Sequence, residues 1–149
     1  METFFEISDS GDFVKVEVLD YITYSSALDW DKNWIKASVS IKAGGFTGQY
    51  AAEFMTVDFK RFEKDFSALY DNLSGGAVFH DLEGYLQLKV LGDGIGHFNI
   101  NVEACDKPGI YGVKLIFELN FDQTFIKPIA RQLKEITDTF PVVGDLERY

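Results

Sequence analysis

Residues 35–73, IKASVSIKAGGFTGQYAAEFMTVDFKRFEKDFSALYDNL, change their hydrophobic period once, and this change decides the fold. Over 35–41 and again over 46–54, apolar residues alternate with polar ones, which is typical of strands with one buried face. Gly44-Gly45 separates the two runs and predicts a hairpin between them. From Thr56 onward the spacing becomes helical. The apolar face of this predicted helix comprises Phe59, Phe62, Phe66, Leu69, Tyr70 and Leu73.

Four further runs on either side of this stretch also have period 2. One precedes the hairpin at 14–18, and three follow the helix at 82–90, 98–104 and 111–121. The last three are joined by short connections, which favour antiparallel neighbours because a parallel crossover needs a dozen or more residues. These runs therefore predict additional strands that extend the hairpin into a larger antiparallel sheet.

Both helices have candidate start signals. Thr56 or Asp58 can act as N-cap of the first helix, and Asp122 or Thr124 can begin a second one that Pro141 ends. The inward face of the second helix is predicted to comprise Phe125, Ile129, Leu133, Ile136 and Phe140.

The predicted element order is β-β-β-α-β-β-β-α, with room for short extra strands at 4–7 and 77–79. This order predicts an α+β fold in which a mainly antiparallel curved sheet, or half-barrel, of about six to eight strands is packed by two helices. A chain of 149 residues has the usual size of one domain, so we expect residues 1–149 to form a single domain.

The charge balance is strongly acidic. The chain has 14 Lys and Arg against 24 Asp and Glu, a formal net charge of −10. A field of this sign repels the phosphates of nucleic acids and anionic membrane surfaces, so neither is an expected partner. It speeds encounter with a basic partner, although solubility alone also explains an acidic composition.

Thiol chemistry is not expected. Cys105 is the one cysteine, so the chain can form neither an intrachain disulfide nor a cysteine-based zinc site. His80 and His97 lie on other segments, and two histidines are too few and wrongly spaced for a histidine-rich metal site. Cys105 at the end of a predicted strand is interpreted as a small buried hydrophobic residue.

Neither a signal peptide nor a membrane span is predicted. Residues 1–6, METFFE, lack the basic start and long apolar run of a secretory signal. No stretch approaches the roughly 18 apolar residues of a membrane span. The chain is therefore predicted to be cytoplasmic.

Two segments begin like ligand-binding motifs. Asp29-Trp30-Asp31-Lys32-Asn33 starts like a calcium loop, but Trp34 and Ser40 occupy the positions that require glycine and glutamate. The glycine-rich segment 92–96 lies between two predicted strands, whereas a phosphate-binding loop needs a helix after it. We therefore predict a polar turn and a hairpin connection, with no metal and no cofactor.

Carboxylates are the remaining catalytic candidates. Glu83, Glu103 and Glu118 fall on three neighbouring predicted strands, and a pair roughly 5–9 Å apart could serve glycoside hydrolysis. However, Glu103 and Glu118 are on the polar sides of their strands, so solvated positions are favoured. We predict no catalytic residue.

Acidic residues interleaved with aromatic ones are the best candidates for partner binding. Aromatic anchors with charged neighbours are common at the energetic centres of protein interfaces. The alternative is that the two tryptophans only pack their loop onto the sheet. The candidate residues are Asp20, Tyr21, Tyr24, Asp29, Trp30, Asp31 and Trp34.

Several short motifs, in their order along residues 30–140, resemble the WapI-type immunity proteins of bacterial toxin competition systems. They are Asp31-Lys32-Asn33-Trp34-Ile35, Phe46-Thr47-Gly48, the 59–73 helix, Leu82-Glu83-Gly84-Tyr85-Leu86-Gln87-Leu88, Gly96-His97 and Phe121-Asp122-Gln123-Thr124-Phe125.

The resemblance implies a small cytoplasmic protein, not an enzyme, that binds and neutralises a cognate toxin domain, often a nuclease. A nuclease site is usually basic because it holds phosphates, so a basic toxin domain is the expected partner. Two alternatives remain open. One is a general protein-interaction or homo-oligomeric module that pairs through an exposed sheet edge. The other is a carboxylate-dependent enzyme or small-ligand-binding domain.

Overall fold

The computed structural model describes residues 2–146 and contains eight strands and two helices. The first four strands are β1 (Thr3–Asp9), β2 (Asp12–Tyr21), β3 (Trp34–Ala43) and β4 (Phe46–Met55). Helix α1 (Thr56–Asn72) leads into β5 (Ser74–His80), β6 (Leu86–Asp93), β7 (His97–Cys105) and β8 (Lys114–Asp122), and α2 (Ile126–Thr139) follows. Short 3-10 turns precede β3 at Trp30–Asn33 and α2 at Gln123–Phe125.

The α+β class, the antiparallel pairing and the two helices are confirmed. The extra strands expected at 4–7 and 77–79 are full strands of seven residues each, β1 and β5. The eight strands form two sheets of four, ordered β1-β2-β3-β4 and β5-β6-β7-β8, rather than one curved sheet. The chain leaves the β4 edge through α1, and β5 then pairs with β6 instead of β4. The apolar faces of both sheets can therefore be buried in one shared core.

The predicted Gly44-Gly45 hairpin is confirmed, with Ala43 opposite Phe46. Gly44 has a φ of 61°, and a positive φ at only the first turn residue is typical of a type II′ hairpin. The pair that flanks a two-residue turn is hydrogen-bonded, and hydrogen-bonded pairs alternate along antiparallel strands. The β4 residues whose backbone groups point away from β3 are therefore Thr47, Gln49, Ala51 and Glu53.

Phenylalanines from both sheets and α1 form the centre of the core. Phe79 of β5 contacts Phe54 of β4 and Phe59 of α1 edge-on, with ring centroids 5.3 and 5.2 Å apart. Phe5 of β1 and Phe62 of α1 lie against the same ring. Helix α1 therefore joins the two sheets through an aromatic cluster.

The predicted helix faces are confirmed except at three positions. Leu73 is only half-buried, because it is the C-cap residue that follows α1. Most of the predicted inward residues of both helices are buried, but Tyr70 is 46% exposed. Phe125 is 47% exposed because it belongs to the 3-10 turn, whose different pitch makes Ile126 the first buried residue of the helix. Neither helix within residues 2–146 is long and apolar enough to cross a membrane.

The start of α1 differs from the prediction, because neither Thr56 nor Asp58 is its N-cap. Met55 occupies that position, and its backbone N–H donates to Asp58 Oδ2 at 2.9 Å. The Thr56 hydroxyl donates to Asn33 instead. Asp122 caps the 3-10 turn that precedes the second helix, and its Oδ1 accepts from the backbone N–H of Thr124 at 2.9 Å, whereas Phe125 occupies the N-cap position of α2 itself.

Candidate protein-docking surface

The turn predicted for the calcium-like motif is confirmed, and the fully buried side chain of Asn33 holds it in place. Asn33 Nδ2 donates to the carbonyl oxygens of Asp29 and Val143, at 2.7 and 2.8 Å. Its Oδ1 accepts from the Thr56 hydroxyl at 2.5 Å and from the Val143 N–H at 2.8 Å. This one amide joins the turn, α1 and the segment after α2. No cluster of three or more metal-binding side chains occurs in the described chain.

Two of the seven candidate partner-binding residues mainly support the structure. Trp34 is buried, with 9% of its surface exposed. Tyr21 is half-buried, its hydroxyl donates to the Pro141 carbonyl at 2.8 Å, and its ring lies 5.3 Å from that of Phe140. Both residues therefore hold the 22–33 loop against the rest of the molecule.

The other five candidates are at least partly accessible. Asp20 and Tyr24 are exposed, and Asp29, Trp30 and Asp31 are half-buried. Asp29 is engaged within the chain, because its Oδ1 lies 3.3 Å from Lys32 Nζ and its Oδ2 accepts from the Asp145 N–H at 3.4 Å.

Two carboxylates that the sequence did not assign to partner binding lie beside Tyr24. The Tyr24 hydroxyl donates to Glu53 Oε2 at 3.3 Å. Desolvation raises the pKa of Tyr24, and the charges of Glu53, Asp31 and Glu83 raise it further. Desolvation likewise raises the pKa of Tyr85, followed by the charges of Glu53, Glu83 and Asp81. Both phenols therefore share the field of Glu53 and Glu83.

We define the acidic–aromatic surface as Tyr24, Asp31, Glu53, Glu83 and Tyr85. Lys36 contributes one positive charge beside it, opposite both Asp20 and Glu53 in the first sheet. Carboxylates still outnumber cations there. The sequence offered no signal for this grouping, because Tyr24, Glu53 and Glu83 belong to distant segments that only the tertiary fold brings together.

The loop that carries Glu83 and Tyr85 is held in one conformation. The Asp81 carboxylate accepts the backbone N–H groups of Gly84, Tyr85 and Leu86, each at 3.0 Å. The Tyr85 ring stacks on that of Tyr50 at 6.4 Å. Contacts within the chain therefore fix the part of the acidic–aromatic surface that Glu83 and Tyr85 contribute.

An apolar cleft opens at the other end of β4, where the two sheets separate. Its volume is about 240 Å³. It is lined by Ile41, Phe46, Thr47, Gly48, Gln49, Tyr50, Ala104, Asp106, Val113 and Leu115. Phe46 and Val113 at its rim are 69% and 70% exposed. Ile110 and Tyr111, on the same β7–β8 loop as Val113, are more than 90% exposed.

Of the three catalytic carboxylate candidates, Glu103 and Glu118 are diagonal neighbours on adjacent strands, roughly 7–8 Å apart, on a face that is open to solvent. Glu83 lies in the β5–β6 loop rather than on a strand, because β6 begins only at Leu86. Glu103 lies on β7 and its Oε1 forms an ion pair with Lys114 Nζ at 2.7 Å. Glu118 is exposed on β8, opposite Asn101. The solvated positions expected for Glu103 and Glu118 are therefore what the structure shows.

Cys105 and the two histidines are separate. Cys105 is buried at the last position of β7, as expected, and His97 is the first residue of the same strand. Eight strand steps place them roughly 27 Å apart. His80 ends β5, opposite Gln87.

The glycine-rich segment 92–96 forms the predicted hairpin connection between β6 and β7. Asp93 Oδ1 accepts the backbone N–H groups of Ile95 and His97, at 2.8 and 3.1 Å, and these bonds lower the pKa of Asp93. The carboxylate is therefore occupied within its own turn.

Comparison with known proteins gives one family and several similar folds. The model of the Immunity protein WapI-like family matches residues 4–141. No curated protein sequence matches significantly. The crystal structure of WHY1 from Arabidopsis thaliana is similar over 97% of this chain and 86% of its own, with 15% identity and a TM-score of 0.51. The structure of the plant transcriptional regulator PBF-2 is similar over 96% of this chain and 82% of its own, with 13% identity and a TM-score of 0.50. At such identities the likeness concerns the fold alone.

Proposed function

Because the chain belongs to the WapI-like immunity protein family, we propose that it neutralises a cognate toxin domain by binding it stoichiometrically in the cytoplasm. The toxin domain is a basic one of the nuclease class. The protein performs no chemistry on it, and neutralisation follows from occupying the toxin's surface.

The observation that carries this proposal is the acidic–aromatic surface. The Tyr24 hydroxyl donates to Glu53 at 3.3 Å, and desolvation together with the charges of Glu53 and Glu83 raises the pKa of both the exposed Tyr24 and the half-buried Tyr85. A nuclease must hold phosphates, so its active site presents cations to which this surface is complementary. Opposite charge steers the encounter, and aromatic rings provide the contact area that interfaces favour.

The candidate residues divide into two roles under this proposal. Asp20, Tyr24 and Asp31 contact the toxin directly, together with Glu53 and Glu83. Tyr21, Asp29, Trp30 and Trp34 position the loop that presents them. Substitutions in the second group therefore act through stability as well as through binding.

Co-expression tests the proposal in cells. The protein would be expressed together with the toxic domain encoded beside its gene, and growth would be followed. We expect growth to be restored in proportion to the amount of protein made, because a stoichiometric inhibitor does not turn over. Growth arrest that persists at excess protein would contradict the proposal.

A homo-oligomeric assembly module is the second candidate function. The almost fully exposed Ile110 and Tyr111 favour it, because large apolar side chains in one loop often mark an interface between proteins. Light scattering over a wide concentration range tests it. A concentration-dependent dimer that the Tyr111→Ser variant lacks would support this candidate, and a monomer at every concentration would eliminate it.

A further inference from the structure

The outer edge of β4 differs from two of the other three sheet edges in how its backbone is paired. At the β1 edge, the Glu6 N–H donates to Gln132 of α2 at 3.0 Å. At the β8 edge, the Asn120 N–H donates to Asp9 of β1 at 3.0 Å. Within residues 2–146, no backbone group outside the first sheet bonds to the backbone of residues 46–54.

Helix α1 covers β5 but not β4. Helix α1 packs along β5, whereas it meets β4 near their junction, where the Phe59 ring lies 5.8 Å from that of Phe54. Residues 46–54 of the β4 edge therefore have no strand partner in the described part of the chain, and the Tyr85 ring lies beside them, against the rings of Tyr50 and Phe54. The outward backbone groups of this edge belong to Thr47, Gln49, Ala51 and Glu53, whose side chains are all exposed. A row of such groups is a template for one more strand.

The two ends of this edge have different chemistry. Gly48 and Tyr50 line the apolar cleft between the sheets, whereas Glu53 belongs to the acidic–aromatic surface. Gly48 and Glu53 are five residues apart, so they face opposite sides of the sheet and lie roughly 17 Å from each other. A strand added to this edge would place one side chain in the cleft and another, five residues away, beside Glu53.

We infer that an extended segment of the toxin adds to β4 as a fifth strand of the first sheet. This segment inserts an apolar side chain into the cleft and presents Lys or Arg, five residues away, to Glu53 and Glu83. The inference rests on the proposed function, and it specifies how the toxin would bind to this chain. Charge complementarity identifies the occupant, because the carboxylates at one end of the edge favour a basic chain.

A proline at position 51 tests the edge directly. Ala51→Pro removes an outward N–H while the hydrogen bonds between β3 and β4 remain, because proline is tolerated where the missing N–H faces solvent. Ala51→Ser is the matched control, since it retains the N–H. The probe is a catalytically inactive form of the toxin domain encoded beside the gene, titrated by calorimetry, with circular dichroism to verify folding.

We expect Ala51→Pro to raise Kd at least about tenfold and Ala51→Ser to change it less than about twofold, since the proline loses a hydrogen bond and obstructs the strand. A folded Ala51→Pro variant that binds like the wild type overturns the inference and leaves the proposed function intact. A wild-type protein that does not bind the toxin domain overturns both.

Residue-resolved hydrogen exchange by NMR tests the same edge without a variant. The amides of Thr47, Gln49, Ala51 and Glu53 should exchange at least about tenfold more slowly in the toxin complex, because each alternate amide becomes hydrogen-bonded. Unchanged exchange in a formed complex overturns the inference. So does the same protection in the free protein at high concentration, which would assign the edge to a second copy of this chain.

Discussion

The Tyr50 hydroxyl donates a 2.6 Å hydrogen bond to the backbone carbonyl of Tyr85. This bond joins the free edge strand of the first sheet to the acidic loop of the second sheet. Burial raises the pKa of Tyr50, so the phenol stays protonated and remains a donor at physiological pH. The apolar cleft and the acidic–aromatic surface are thereby held at a fixed separation on either side of this contact.

Removal of the Tyr50 hydroxyl tests that contact. Tyr50→Phe retains the ring stacking but removes one of the two donors to the Tyr85 carbonyl, which still accepts from the Cys105 N–H at 3.0 Å. The loss of this hydrogen bond should lower the free energy of unfolding by about 1 kcal/mol. Urea unfolding followed by circular dichroism measures this change. If the midpoint and slope match those of the wild type, the hydrogen bond does not stabilise the junction.

Asn33→Ala should destabilise the protein more than Tyr50→Phe. The substitution removes the acceptor of the buried Thr56 hydroxyl and both partners of the half-buried Val143 backbone, whereas the Asp29 carbonyl still accepts from the Lys32 N–H at 3.1 Å. We expect a loss of about 3 kcal/mol, since each unsatisfied buried group costs roughly 1–3 kcal/mol. Thermal unfolding measures the loss. The exposed neighbour Lys32→Ala is the control, and an equal effect of both variants would contradict the role assigned to Asn33.

Asp58 should make stability depend on pH. Burial raises its pKa from 3.8 to about 6, although the Met55 N–H and Arg61 oppose the shift. The folded state therefore binds a proton more tightly than the unfolded state, so this contribution is present below about pH 4 and is lost as pH rises through about 6.

The Asp58→Asn variant isolates this effect because the amide does not titrate. The stability of the wild type relative to Asp58→Asn should fall by about 2 kcal/mol between pH 4 and pH 6.5. Denaturant unfolding at a series of pH values measures the difference. A difference that is constant, or that grows as the pH rises, would refute the raised pKa.

Charge reversal on the acidic–aromatic surface should slow toxin association. The Glu53→Lys, Glu83→Lys double variant should reduce the association rate constant about tenfold at low salt and should weaken its salt dependence, because steering depends on local charge. The control is Glu118→Lys, Asp71→Lys, which changes net charge equally at exposed positions on β8 and at the C-terminal end of α1. Stopped-flow fluorescence measures the rates, and equal slowing by both double variants would show that only net charge matters.

Local sequence patterns predict most of the individual elements but not how the strands are grouped. The alternation on both sides of Gly44-Gly45 predicts β3, β4 and their turn, because hairpin register depends on adjacent residues. A period of 2 shows which face of a strand is buried but not which strand lies beside it. The division between β4 and β5 was therefore not predictable.

The candidate site was predicted only in part, for the same reason. Tyr24 and Asp31 lie in the segment that combines acidic and aromatic residues, so composition identifies them. Glu53 is one of several polar residues on β4, and Glu83 was assigned to a strand. They join Tyr24 only through the pairing of β2, β3 and β4 and the conformation of the 81–85 loop. Trp34 was included because sequence does not reveal its burial.

Titration calorimetry of the wild-type protein with the inactive toxin domain tests the central claim most directly. We predict one-to-one stoichiometry and a nanomolar Kd that rises with salt concentration, because charge complementarity contributes to the complex. Heats that remain at the dilution level at micromolar concentrations of both proteins would contradict the claim that this chain neutralises the toxin by binding it.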